Sequence, residues 1–272
     1  MVLDAIQERK KRSDAAIVGS FSGSLAELVG RAQARTLAQL GRELDVDDAG
    51  MVAMTPANQV VLRQLDGMLL GELDKLGYNS LVNAFVGTFS TQLPLFQEAL
   101  DAARKESGAD LPKLEFGRTD ERMFDSAKVT GRLLLRQPVE RAAASARQNA
   151  LLSMGALSHR DLADLIAKKW QVAVPQAEAT AATAMSTYYR TINARAADKI
   201  QSALPEGAEL TFVPTGPLDK LTRPFCSKLM RAGGEYTRGQ IDAMDNGSSI
   251  PAFIGFGGYK CRHAWHVGGI RR

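Results

Sequence analysis

PQAEATAATAMSTYYRTINARAADKIQSALPEGAELTFVPTG, Pro175–Gly216, holds the transition that decides the fold. Pro175 suits the first turn of a helix, and the alanine-rich run behind it has no breaker until Pro205. Small side chains along a helix let a neighbouring helix approach closely, so this helix is expected in the middle of a bundle. After Pro205 the texture changes. GAELTFVPTG alternates like a strand, and glycine becomes frequent at Gly233, Gly234, Gly247, Gly255, Gly257 and Gly258. The chain thus reads as mainly α: helical N-terminal and middle regions, then a small C-terminal α+β module.

Upstream, Leu25, Leu28, Val29 and Ala32 lie three and four apart, and the stripe continues from Thr36 to Leu40 on one helix face. Thr55 can cap a second helix with Pro56 at its first position, Leu62, Leu65, Leu69, Leu73 and Leu76 in phase, and Gly77 as its stop. A third element runs from Tyr78 to Gly108 and is expected to bend at Pro94. ADLPKLEFGRTDERMF, from Ala109, reads as a boundary, followed by a helical stretch from Asp120 to Gly155 interrupted near Gln137-Pro138. Ser158, with Asp161 three residues on, opens another helix, and His159 at its entry reads as a surface or capping residue. These breaks divide the chain into residues 1–110, 111–204 and 205–272.

A hydrophobic content of 45% with 24% charge excludes wholesale disorder. No apolar run reaches the roughly 18 residues of a spanning helix, and no signal pattern opens the chain, which predicts folding in a cytoplasm without membrane contact. The formal net charge of +4 is mild, and the basic clusters Glu8–Arg12 and Ile270–Arg272 read as solvated ends. Phosphate-binding, dinucleotide, His-Glu-x-x-His and Gly-x-Ser-x-Gly signatures are all missing, and GFGGYK reads as a tight turn.

Chemistry concentrates at the C-terminus. Cys226, Cys261, His263 and His266 comprise both cysteines and two of the three histidines, a Cys2His2 set suited to tetrahedral zinc, which would staple a module short of core. Cys261 and His263, one residue apart, share a face of an extended segment, and His266 could swing back from the next turn. Arg223 stands where a Cys-x-x-Cys knuckle would have its other member. Two further readings stay open. The cysteines can be small buried apolar residues with His263 hydrogen-bonded beside them, or a cysteine can be a nucleophile with a histidine base, its thiol acidified by Arg223 or Arg262.

Asp219, Thr222-Arg223-Pro224-Phe225-Cys226, Tyr236-Thr237, Gln240-Ile241, Asp245-Asn246-Gly247 and Gly257-Gly258-Tyr259-Lys260-Cys261-Arg262-His263-Ala264-Trp265 together resemble the C-terminal signature of phage head morphogenesis proteins, the phage Mu F-like minor head proteins. The preceding helix, with Thr187, Tyr188, Arg190, Thr191 and Asn193, resembles the same family, and the likeness spans roughly Ser158 to Val267. Many members carry a Cys-x-x-Cys pair of which only Cys226 stands here. The resemblance implies a non-enzymatic minor capsid protein, made in a host cytoplasm and carried in the virion at or near the portal. Its partners would be the portal protein, other head proteins and packaged DNA, and its role to assist head assembly, DNA packaging or ejection. On the residues alone, Asp219, Thr222 and Pro224 make a turn and Asp245-Asn246-Gly247 makes another; the resemblance adds Gly258, Arg262 and Trp265 to the same structural motif. The alternatives are a metal-dependent nuclease using His263 and His266 and a sequence-independent DNA-binding protein.

Overall fold

The computed structural model describes residues 2–107, 114–216, 218–248, 250–258 and 261–271. The centre of the expected boundary at 109–113, the motif residues Tyr259 and Lys260, and the terminal Arg272 lie outside the described residues. Helices dominate: α1 (Val2–Glu43), α2 (Pro56–Arg63), α3 (Leu65–Lys75), α4 (Tyr78–Gly87), α5 (Gln92–Ser107), α6 (Arg118–Leu152), α7 (His159–Gln171) and α8 (Ala173–Ala203). The module follows as β1 (Glu209–Thr215), α9 (Pro224–Ala232), β2 (Tyr236–Thr237), α10 (Arg238–Asp242), α11 (Ala252–Gly255) and β3 (Ala264–Arg271). The mainly α fold with a small α+β module stands as expected. Among the described residues no helix is long and apolar enough to cross a membrane.

Thr55 accepts from the Asn58 N–H with Pro56 in the first turn, and Ser158 accepts from the Asp161 N–H. Gly77 ends α3 at φ +102°, a conformation that costs a side chain its sterics. Three other expectations are corrected. The Leu62–Leu76 run is two helices that meet at Gln64, though Leu62, Leu65, Leu69 and Leu73 are all fully buried. The third element breaks at a 3₁₀ turn, Thr88–Thr91, where the Ser90 and Thr91 hydroxyls donate to the Gly87 and Thr88 carbonyls and compete with helical bonding. Pro94 sits harmlessly in the first turn of α5, where an N–H is unpaired anyway. Helix α6 runs straight through Gln137-Pro138. Pro138 and its neighbour Val139 are buried, and that packing outweighs the roughly 3 kcal/mol an interior proline costs.

The chain groups into two compact units, one of Met1–Ala15, Gly87–Gly131 and Ala182–Arg272, the other of Ala16–Val86 and Arg132–Ala181. These are not the three consecutive blocks expected, because helical packing gathers segments far apart in sequence. The second unit is wholly helical. Leu25, Val29, Ala32, Thr36 and Leu40 form the buried stripe of α1, and Trp170 donates its indole N–H to the Val29 carbonyl at 3.1 Å. His159 is half-buried beside Gly41, its Nε2 shielded and without a hydrogen-bond partner, while Ser158 does the capping.

In the first unit β1 is the central strand, paired antiparallel with β2 and β3 and bulged against β3 between Thr211 and Phe212. Asp120 is buried and paired with Arg195 and Lys199 of α8; burial opposes its ionisation, but the hydrogen bonds from Lys199, Arg195 and the Gly117 N–H bring its pKa down to about 2. The ERKKR cluster is less free than a solvated end: Arg9 pairs with Glu98, and Lys10 pairs with Asp14 and lies 4.4 Å from the Tyr189 ring centre. The α+β module is also less isolated than its length suggests. Its buried Leu210, Phe212, Phe253, Trp265 and Val267 share this unit with Tyr188, Tyr189 and Ile192 of α8, and Asn193 donates to the Trp265 carbonyl.

Candidate metal centre

Cys226, Cys261 and His263 meet. Pro224 opens α9 with Arg223 at the cap position, which places Cys226 in the first helical turn. The chain returns after α11 through Phe256, Gly257 and Gly258, and Cys261 and His263 lead into β3. The sulfurs are 3.6 Å apart, Cys261 Sγ is 3.5 Å from His263 Nδ1, and the three donor atoms lie within 4.8 Å of one another. All three residues are at most 5% exposed. Two sulfurs and an imidazole nitrogen so placed could hold a soft or borderline metal ion.

His266 does not join them. Three residues along an extended chain is an odd step, so His266 points to the face opposite His263. There it is buried near the Tyr189 ring, 6.2 Å between centres. Burial, and secondarily the charge of Lys10, push its pKa down to about 4, so it stays neutral at pH 7. A Cys2His2 set is therefore replaced by Cys2His.

The surroundings shape the sulfurs. The Gly257 N–H donates to Cys261 Sγ at 3.3 Å. Hydrogen bonding with Cys226, then with His263 and Gly257, pushes the Cys261 thiol pKa well down, against the effect of burial; the contact with Cys261, and then burial, drive Cys226 up. Arg190 of α8 is 6% exposed and donates to the Cys261 carbonyl and, at 3.4 and 3.5 Å, to those of Ile254 and Gly255. Burial lowers its pKa and the two cysteines oppose that. It holds the loop that carries Cys261.

Two glycines are needed by contact. A Cβ on Gly257 would overlap the Cys226 sulfur and lie 3.3 Å from that of Cys261. A Cβ on Gly216, at φ +145°, would stand 2.5 Å from the His263 ring. His263 in turn stacks on Phe256 at 5.4 Å and 25°. Phe256 holds φ +49° with no surface exposed, and Asn246 fixes its carbonyl with a 2.6 Å bond.

The remaining motif residues form a brace around this knot. Arg262 grips both oxygens of Asp219 at 2.6 and 2.7 Å, which holds the Asp219 carboxyl far below its ordinary pKa. Asp219 also accepts from the Leu221 N–H, and its own N–H donates to Thr222 Oγ1, making the turn expected before Pro224. Gly247 and Ser248 N–H groups bond the Asp245 and Asn246 side chains in the second turn. Gly258 sits at φ +87°, and Trp265 is fully buried with its N–H on the Ala252 carbonyl at 3.0 Å.

The sequence reading missed Gly216, the loop-holding role of Arg190 and the strained Phe256. A lone glycine at a strand end and an arginine inside an alanine-rich helix give no contact signal by themselves. No family model matches the chain, and no curated protein or solved structure matches it. Fold and centre define the class: a helical protein whose C-terminal α+β module is closed by a buried Cys2His group.

Proposed function

We propose that the protein is a non-catalytic minor head protein of a tailed phage, placed at or near the portal, and that its Cys2His group is a structural zinc clamp. The observation that supports this reading best is that the residues carrying the resemblance bind one another. The exposed pair Asp219 with Arg262 and the buried contacts of Cys226 with Cys261 and His263 and of Trp265 with Ala252 tie the motif to itself. A nuclease centre needs a metal position open to water and phosphate, usually with carboxylate help. Here the donors are buried, and among the described residues no Asp or Glu belongs to the group. Zinc fits two of the three edges: bonds of about 2.3 Å to sulfur and 2.0 Å to nitrogen at a tetrahedral angle set S–S and S–N edges of about 3.8 and 3.5 Å. The Cys226–Cys261 and Cys261–His263 edges are 3.6 and 3.5 Å, and the Cys226–His263 edge lies within 4.8 Å. Bound there, the ion would join α9 to the segment entering β3, with its fourth tetrahedral position left to water or to a ligand outside these three.

Quantitative proteomics of purified particles and isolated portal complexes tests the head assignment. The protein is expected at low stoichiometry with the portal; abundance in the lysate with none in particles overturns the reading. The clamp has its own test in Gly257→Ala, which thrusts a methyl group against Cys226 Sγ. Affinity for Zn2+, or for Co2+ followed by its sulfur charge-transfer band, is expected to fall about 100-fold, at the upper end of the effect of residues surrounding metal ligands. Undiminished affinity would show that the metal is held elsewhere.

A further inference from the structure

We propose that Cys226 and Cys261 are also a disulfide-forming pair, an alternative covalent staple for the same module when no metal is bound. The two thiols are free, and their sulfurs are already in contact at 3.6 Å although 35 positions separate them in sequence. A bond requires that separation to close to about 2.05 Å, a movement of about 1.5 Å. Nothing stands between the sulfurs on the Gly257 side, where the missing Cβ leaves the room a side chain would take. Their neighbours favour intramolecular pairing over any other fate. Cys226 and Cys261 are 1% and 5% exposed, too deep for the sulfur of a second chain to reach. Each therefore has the other as its nearest thiol partner.

The chemistry needs a two-electron oxidant small enough to enter, and a peroxide meets that need. The sulfur of Cys261, the more exposed of the two, attacks one peroxide oxygen; the O–O bond breaks, and a sulfenic acid and water result. The Cys226 sulfur then attacks the Cys261 sulfur, the S–S bond forms, and the sulfenic oxygen leaves as a second water. Two thiols lose two electrons and two protons, and one hydrogen peroxide becomes two waters. A bound ion uses both sulfurs, so metal and disulfide exclude each other and oxidation expels the metal. The two states suit different surroundings, the dithiol with metal a reducing cytoplasm and the disulfide an oxidising exterior. Only that biological setting rests on the particle reading; the pairing itself does not.

The test uses the full chain, stripped of metal with a chelator, reduced, and then given one equivalent of hydrogen peroxide. Intact mass under non-reducing conditions is expected to fall by the mass of two hydrogens, and digestion should yield one cross-link joining the peptides that hold Cys226 and Cys261. Closing a 35-position loop should raise the melting temperature of the metal-free protein by roughly 5 to 15 °C. Cys226→Ser should give neither cross-link nor rise, accumulating oxygen on Cys261 instead. In wild-type protein, sulfinic acid without a cross-link, or disulfide-linked dimers, would overturn the proposal. Reduced protein that fails to bind added Zn2+ yet still forms the cross-link would defeat the zinc clamp and leave this pairing intact.

Discussion

Trp265→Ala is expected to destabilise the first unit by about 4 kcal/mol, the range for emptying a buried tryptophan site. The indole is 1% exposed, with ring centres 4.7 Å from Phe256 and 5.6 Å from Tyr236, and its N–H is bonded to the Ala252 carbonyl. Removal leaves a cavity and takes one of two hydrogen bonds from the Ala252 carbonyl, which keeps the Phe256 N–H at 2.8 Å, so the cavity carries most of the loss. The damage should reach the Cys2His group, because Phe256 also stacks on His263. Hydrogen exchange resolved by segment gives the check. Protection should drop across β1, α11 and β3 while the all-helical second unit keeps its own around Trp170. An exchange pattern unchanged in β3 would mean that contacts other than the aromatic stack supply most of the module's stability.

Where a local signal had a local cause, the sequence was readable. Thr55-Pro56, Gly77, Ser158 with Asp161, and the two Asp turns are short-range hydrogen-bond devices, and each took the form its residues prescribe. Helix α1 was harder: among the described residues upstream of Ser24 the buried ones are Ile6, Val18 and Phe21, and so sparse a set hides a 3.6-residue period. Pro138 misled because propensity is a local preference and its burial is not. The metal group was visible as a concentration of cysteine and histidine, but membership was settled by strand parity. His263 and His266 look equivalent in sequence, and only the face each takes around β3 separates them. Residues that act by being absent, such as the side chains Gly216 and Gly257 lack, leave no chemical trace to read.

His266 turns that parity into a pH dependence. Folded, it is neutral with a pKa of about 4; unfolded, it returns to about 6.5. Between those values the unfolded chain binds a proton that the folded chain refuses, so stability is complete above pH 6.5 and falls as pH drops towards 4. The slope approaches 1.4 kcal/mol per pH unit, and the whole loss is about 3 kcal/mol. Asp120 and Asp219, both depressed by their basic partners, withdraw their contributions only as pH falls below the ordinary carboxylate range. Urea unfolding from pH 7 to 4, in excess chelator so that metal loss adds nothing, should show the His266 slope. His266→Phe should flatten it above pH 4.5 and leave the steeper loss at lower pH in place. If the variant keeps the wild-type slope, the proton is taken up at another site, and the side chain on the α8 face of β3 is reached by water.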